Sequence, residues 1–104
     1  MRFAKRRDMK SSEIDLGSAV LDLSVGRLFR QNGKELDLRH QSREVLMALA
    51  QMPNEIVSQD ALIEEVWQGR SVTPDSVAQC IAEIRRVIKD HDKRIVETVP
   101  RMGY

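Results

Sequence analysis

The sequence predicts an α+β fold, and three observations predict it. Between Glu13 and Leu38 apolar residues come in short alternating pieces, broken by Gly17, Gly26 and Asn32-Gly33. From Arg39 to Ile88 the apolar spacing lengthens to a helical period, and from Ile95 a β-branched run leads into Pro100-Arg101-Met102-Gly103. The expected order is a small antiparallel sheet, three helices and a C-terminal hairpin over residues 13–104, preceded by a basic flexible arm over residues 1–12.

The first region earns its strands from turn chemistry. Asn-Gly between apolar alternations is a strong hairpin signal. Ile14 and Leu16, Val20 to Leu23, Leu28 and Phe29, and Leu36 and Leu38 supply three or four short strands. The first helix is expected from Arg39 to Gln51, with Val45, Leu46, Leu49 and Met52 inward and Pro53-Asn54 ending it. Ile56-Val57 reads as an extended link. Ser58 is a good N-cap for a helix over Gln59–Trp67, with Leu62, Ile63, Val66 and Trp67 inward and Gly69 near its C-cap. Residues 68–72 are a short connection.

The third helix, 74–88, is the element the others serve. Thr73 is placed to cap it, Pro74 suits its first position, and Asp75 favours the helix dipole. Val77, Ile81, Ile84 and Ile88 recur at spacings of four, three and four, which makes one buried stripe. The opposite face carries Asp75, Gln79, Ala82 and Arg86, with Ser76 and Glu83 on one flank and Arg85 on the other. Two helices joined by a tight loop, the second with a polar outward face, form a helix-turn-helix arrangement. Ile95, Val96, Thr98 and Val99 then read as a strand, and Tyr104 as the start of its return.

Composition bounds the function. The chain has 104 residues, 41% hydrophobic and 32% charged, which suits one ordered globular domain rather than a disordered segment. A net charge of +1 excludes a global basic field, but the charge is polarised. Arg2, Lys5, Arg6, Arg7 and Lys10 face only Asp8 in the arm. Residues 39–68 are acidic on balance, and residues 69–104 basic. Cys80 is the sole cysteine, so no intrachain disulfide forms and a reducing, cytoplasmic location is expected. The longest apolar run, Val45–Ala50, is too short to span a bilayer, and the basic start lacks the apolar stretch of a secretory signal. Tethering through a segment outside this sequence is compatible with that reading.

Three stretches in order, VSQDALIEEVW, VTPDSVAQCIAEIRRVI and IVETVPRMGY, resemble the OmpR/PhoB-type winged-helix DNA-binding domain over residues 14–104. SVAQCIAEIRR followed by TVPRMGY is more similar to one-component, ToxR/CadC-like regulators than to two-component response regulators. The resemblance implies a winged helix-turn-helix that regulates transcription by binding double-stranded DNA in a sequence-specific way. Helix 74–88 would enter the major groove as the recognition helix, and the wing, 95–104, would meet the adjacent minor groove. The loop 68–73 would touch RNA polymerase, and two copies would dimerise on repeated half-sites. Asp75, Cys80 and Glu83 depart from residues common in response regulators, so their base contacts do not carry over. Pro100 stands at the wing-tip arginine position, with Arg101 after it. Residues 1–38 hold no receiver domain, and a last strand that stops at Tyr104 suggests a shortened chain.

Chemistry narrows the contacts. Gln79 and Arg86 have the donor geometry for adenine and guanine edges, and Glu83 can accept from cytosine N4. Ser76 is placed for phosphate or base near the helix start. Thr73, Arg70, Arg85, Lys93 and Arg94 suit phosphate, and Arg101 suits a narrow minor groove. His40, His91 and Cys80 have no ligand spacing, and no nucleophile–base–acid set is visible. No metal, cofactor or enzymatic activity is therefore expected. The competing reading is a winged-helix protein–protein interaction module without DNA binding, favoured by Asp75, Glu83 and the small net charge.

Overall fold

The computed structural model describes residues 13–68, 70, 72–100 and 102–104. The expected arm, 1–12, and Gly69, Ser71 and Arg101 lie outside the described residues. The chain divides into two compact units, one ending at Asp37 and one running from Leu38 to Tyr104.

The first unit is a four-stranded antiparallel meander of β1 (Glu13–Asp15), β2 (Ala19–Asp22), β3 (Arg27–Arg30) and β4 (Glu35–Leu36), paired in chain order. Each connection uses its polar residues as expected of turns. Asp15 Oδ1 accepts from Gly17 N at 2.8 Å, and Asp22 Oδ1 accepts from Ser24 N at 2.9 Å. Asn32 Oδ1 accepts from Lys34 N at 3.0 Å, and Gly33 adopts a positive φ of 91° that an Asn-Gly turn requires. Leu28 pairs with Leu21 and Leu36, so the apolar register runs across three strands.

The second unit contains α1 (His40–Ala50), α2 (Gln59–Trp67) and α3 (Pro74–Val87). Its core is Val45 and Leu46 of α1, Leu62, Val66 and Trp67 of α2, and Val77, Ile81 and Ile84 of α3, closed by Ile88 and Val96. α3 packs on both α1 and α2. Full burial of each aliphatic side chain contributes about 1.5–3 kcal/mol, so this stripe fixes the roll of α3. Ser58 caps α2 as expected, its Oγ accepting from Ala61 N at 3.0 Å. Gln68 supplies the left-handed C-cap, with φ 53°.

Five expectations need correction. Met52 lies beyond the end of α1 and is exposed, and Leu49 and Ile63 are only half-buried, because their helices turn those positions to the rim of a small core. Thr73 stands at the N-cap of α3 but its side chain makes no capping bond. The expected strand over Ile95–Val99 does not form. Asp90 Oδ1 and Oδ2 accept from the amides of Arg94, Ile95 and Val96 at 2.9–3.2 Å, and Arg85 occupies the Val96 carbonyl. Those groups are no longer available to a ladder. Ile95 is consequently exposed.

The hairpin is therefore short. A single antiparallel bridge joins Val99 and Gly103, with Val99 N donating to Gly103 O at 2.8 Å. Tyr104 then exchanges two backbone hydrogen bonds with Val57, at 2.7 and 3.0 Å. Gly103 is required at this crossing. Its φ is 137°, and a Cβ there would lie 2.8 Å from Ser58 Cα. Among the described residues, no helix is long and apolar enough to cross a membrane.

Candidate nucleic-acid interface

α3 separates a dry side from a wet one. Val77, Ile81, Ile84 and Ile88 are each no more than 1% exposed. Asp75, Ala78, Gln79, Ala82, Arg86 and Lys89 are exposed along the other side. Ala78 and Ala82 lie between the long polar side chains, so the middle of this face is low relief. An element of this shape can approach the edges of stacked bases closely while Gln79 and Arg86 reach beyond it. Periodicity makes most of this face legible; Ala78 and Lys89 escape it, because alanine carries no chemistry and Lys89 lies two residues past the helix, at φ 60°.

The expected contact residues divide into two groups. Gln79 and Arg86 are outward as expected, with Thr73 exposed and Ser76 half-buried at the helix start. Arg94 is exposed beyond the helix. Glu83 and Arg85 are turned toward other parts of the fold. Ser42 Oγ, on α1, donates to Glu83 Oε1 at 2.5 Å, and the Glu83 side chain is only 15% exposed. Its other oxygen lies 3.7 Å from Arg39 Nε and 3.9 Å from Arg86 Nη2. Arg85 Nε donates to Val96 O at 2.9 Å and Nη2 donates to Thr98 Oγ1 at 2.8 Å. Arg85 thus braces the C-terminal segment against α3. Arg101, the expected wing-tip contact, lies outside the described residues.

Two further residues shape the site. Asp90 is 6% exposed and organises the segment leading to the hairpin. Burial pushes its carboxyl up, but the Val96, Ile95 and Arg94 amides and the nearby Arg85 charge outweigh this and hold it below its ordinary value. Arg39 flanks α1 and shares the Glu83 oxygen with Arg86. A polar turn and an isolated arginine gave no sequence signal for either role, since both depend on partners distant in the chain.

The fold and this outward helix define a winged helix-turn-helix. The family described as "Transcriptional regulatory protein, C terminal" matches residues 33–104, and the chain belongs to it, the OmpR/PhoB-type group of DNA-binding domains. The chain is 33% identical to the transcriptional activator CadC of Escherichia coli K12 over 99 residues, covering 92% of this chain and 19% of that protein. It is 42% identical over 64 residues to the cholera toxin transcriptional activator of Vibrio cholerae, covering 58% and 22% of the two chains. The solved DNA-binding domain of E. coli CadC superposes with a TM-score of 0.71 at 32% identity, covering 92% of each chain. The response regulator DrrB of Thermotoga maritima, an OmpR/PhoB homologue, gives 0.75 at 29% identity over 91% of this chain and 44% of that one. The chain spans about a fifth of the length of CadC and of the V. cholerae activator.

Proposed function

We propose that α3 reads base edges in the major groove of double-stranded DNA and that the chain regulates transcription from such sites. The observation that carries this reading is the low-relief polar face of α3 backed by a fully buried stripe, within a domain of the transcriptional-regulator family. Gln79 and Arg86 are the base readers, and Thr73 and Ser76 contact phosphate or base near the helix start. Arg94 and Arg101 supply phosphate or minor-groove contacts. A module of this size buries only about 600–1,000 Å² of its own surface on DNA, so two copies on repeated half-sites are proposed. The 68–73 loop is proposed as the face that meets RNA polymerase, and the working location is the cytoplasm, on DNA.

The test compares a site selected from a random duplex pool with random duplex, each over a salt series. Gln79→Ala and Arg86→Ala should each lose about 1–3 kcal/mol on the selected site and much less on random duplex. Equal losses on both would reassign these residues to backbone contacts. Asp75 on the exposed face favours a second reading, a protein–protein interaction module. Under that reading the wild-type chain shows no salt-dependent duplex binding at all.

A further inference from the structure

Glu83 stands on a flank of α3, beside its exposed face, and its carboxylate is fixed from behind. Ser42 is 1% exposed and places its hydroxyl hydrogen on Glu83 Oε1. That bond crosses from α1 to α3 and restrains a side chain that otherwise has three rotatable torsions. The second oxygen is left to the two arginines beside it. Arg39 approaches it from the N-cap of α1 at 3.7 Å and Arg86 from α3 at 3.9 Å. Both arginine side chains are largely exposed, 81% and 72%, so neither is locked into the pair. At such distance and exposure an ion pair is weak and easily exchanged for a phosphate or base oxygen.

Two guanidinium groups, one just before α1 and one on α3, on one fixed carboxylate have two consequences. The carboxylate offsets their mutual repulsion, which lets them sit near each other before any ligand arrives. It also lowers the local positive charge, which weakens attachment to any phosphate backbone regardless of sequence. We propose that Glu83 is a positioning residue for DNA recognition, held by Ser42 so that its charge lets Arg86 and Arg39 sit close together beside the DNA-facing side of α3. This rests on the major-groove reading of α3. Within that reading, the Ser42–Glu83 pair favours the selected site over random duplex, and Arg39 contributes a phosphate contact.

The experiment measures affinity for a selected site and for random duplex, each as a function of salt, for wild type, Glu83→Gln, Ser42→Ala and Arg39→Ala. Glu83→Gln keeps the shape and removes the charge. It should bind random duplex more tightly, with a salt slope steeper by about one unit, while the preference for the selected site falls roughly fivefold or more. Ser42→Ala should lower the preference in the same direction without steepening the slope, since its charge is unchanged. Arg39→Ala should flatten the slope by about one unit on both DNAs. Thermal melts of each variant separate these effects from unfolding, and Glu83→Gln supplies the test if Ser42→Ala does not fold. Wild type that binds no duplex overturns the major-groove reading itself. Wild type that binds normally, with Glu83→Gln unchanged in preference and slope, overturns the positioning role alone. An Arg39→Ala slope equal to wild type removes Arg39 from the surface.

Discussion

α3 and the segment that follows it are built on opposite principles. α3 is held by apolar burial, with Val77, Ile81, Ile84 and Ile88 sealed and only its flanks tied by polar bonds. The segment from Lys89 to Tyr104 buries few side chains and is held mainly by two ionised groups, Asp90 and Arg85, and by backbone bonds to Val57. The difference teaches where sensitivity lies. Removing apolar volume should loosen the whole helical unit, because packing is shared. Removing a charge should loosen the hairpin segment and leave α3 folded.

The largest effect is expected from Ile84→Ala. Ile84 is 0% exposed and sits where α3 meets the rest of the core. Truncation of a buried isoleucine costs about 2–5 kcal/mol through lost transfer energy and a residual cavity. Chemical denaturation should show one cooperative transition at much lower denaturant. A loss below about 1 kcal/mol would mean α3 is not held by its stripe, and the contrast with the C-terminal segment would collapse.

Asp90→Ala comes next. Three amides lose their acceptor, and that of Val96 lies in the buried part of the segment. An orphaned buried donor costs about 1–3 kcal/mol. The loss should be local, with amide exchange accelerating at residues 94–96 while α3 amides keep most of their protection. Asp90→Asn, which retains one acceptor, should lose less. Uniform acceleration across α3 would show that the two regions are not separable.

The same carboxylate gives the comparison a pH axis. Its folded-state value is depressed below the ordinary 3.8 by the Val96, Ile95 and Arg94 amides and Arg85, against the opposing push of burial. A depressed carboxyl contributes stability that is complete above the unfolded value and is lost as pH falls through the folded value. Wild type should therefore lose hairpin order below about pH 3.8, in a step that Asp90→Asn lacks. A step of equal size in Asp90→Asn would assign the acid transition to other carboxylates.

These regions also differ in how far the sequence revealed them. α3, α2 and the Ser58 cap were legible because period and capping are local properties, written within a few residues. The Asn-Gly turn was legible for the same reason. The strand expected over Ile95–Val99 was not, because β-branched composition reports a preference for extended backbone but not who takes its amides. Asp90 takes them, and only the fold brings it there. Glu83 repeats the lesson on the candidate site. Helical phase places it on a flank of the outward face, while the partner that turns it back, Ser42, lies 41 residues away in the chain.

The smallest stability effect should come from Thr73→Ala, set against Ser58→Ala. Both residues stand at helix N-caps with extended backbone, φ −96° for Thr73 and φ −69° for Ser58. Only Ser58 uses its hydroxyl, on Ala61 N. Losing that bond should cost about 1 kcal/mol. Thr73 makes no such bond, and Pro74 at the first helical position has no N–H to satisfy. Thr73→Ala should thus change stability by no more than about 0.5 kcal/mol. Its hydroxyl stands exposed at the start of the proposed recognition helix, so its value should appear in binding instead. Weaker attachment to duplex with an unchanged melting temperature would separate the role of Thr73 from that of Ser58. A stability loss equal to that of Ser58→Ala, with DNA affinity unaltered, would make Thr73 an ordinary cap and take it out of the interface.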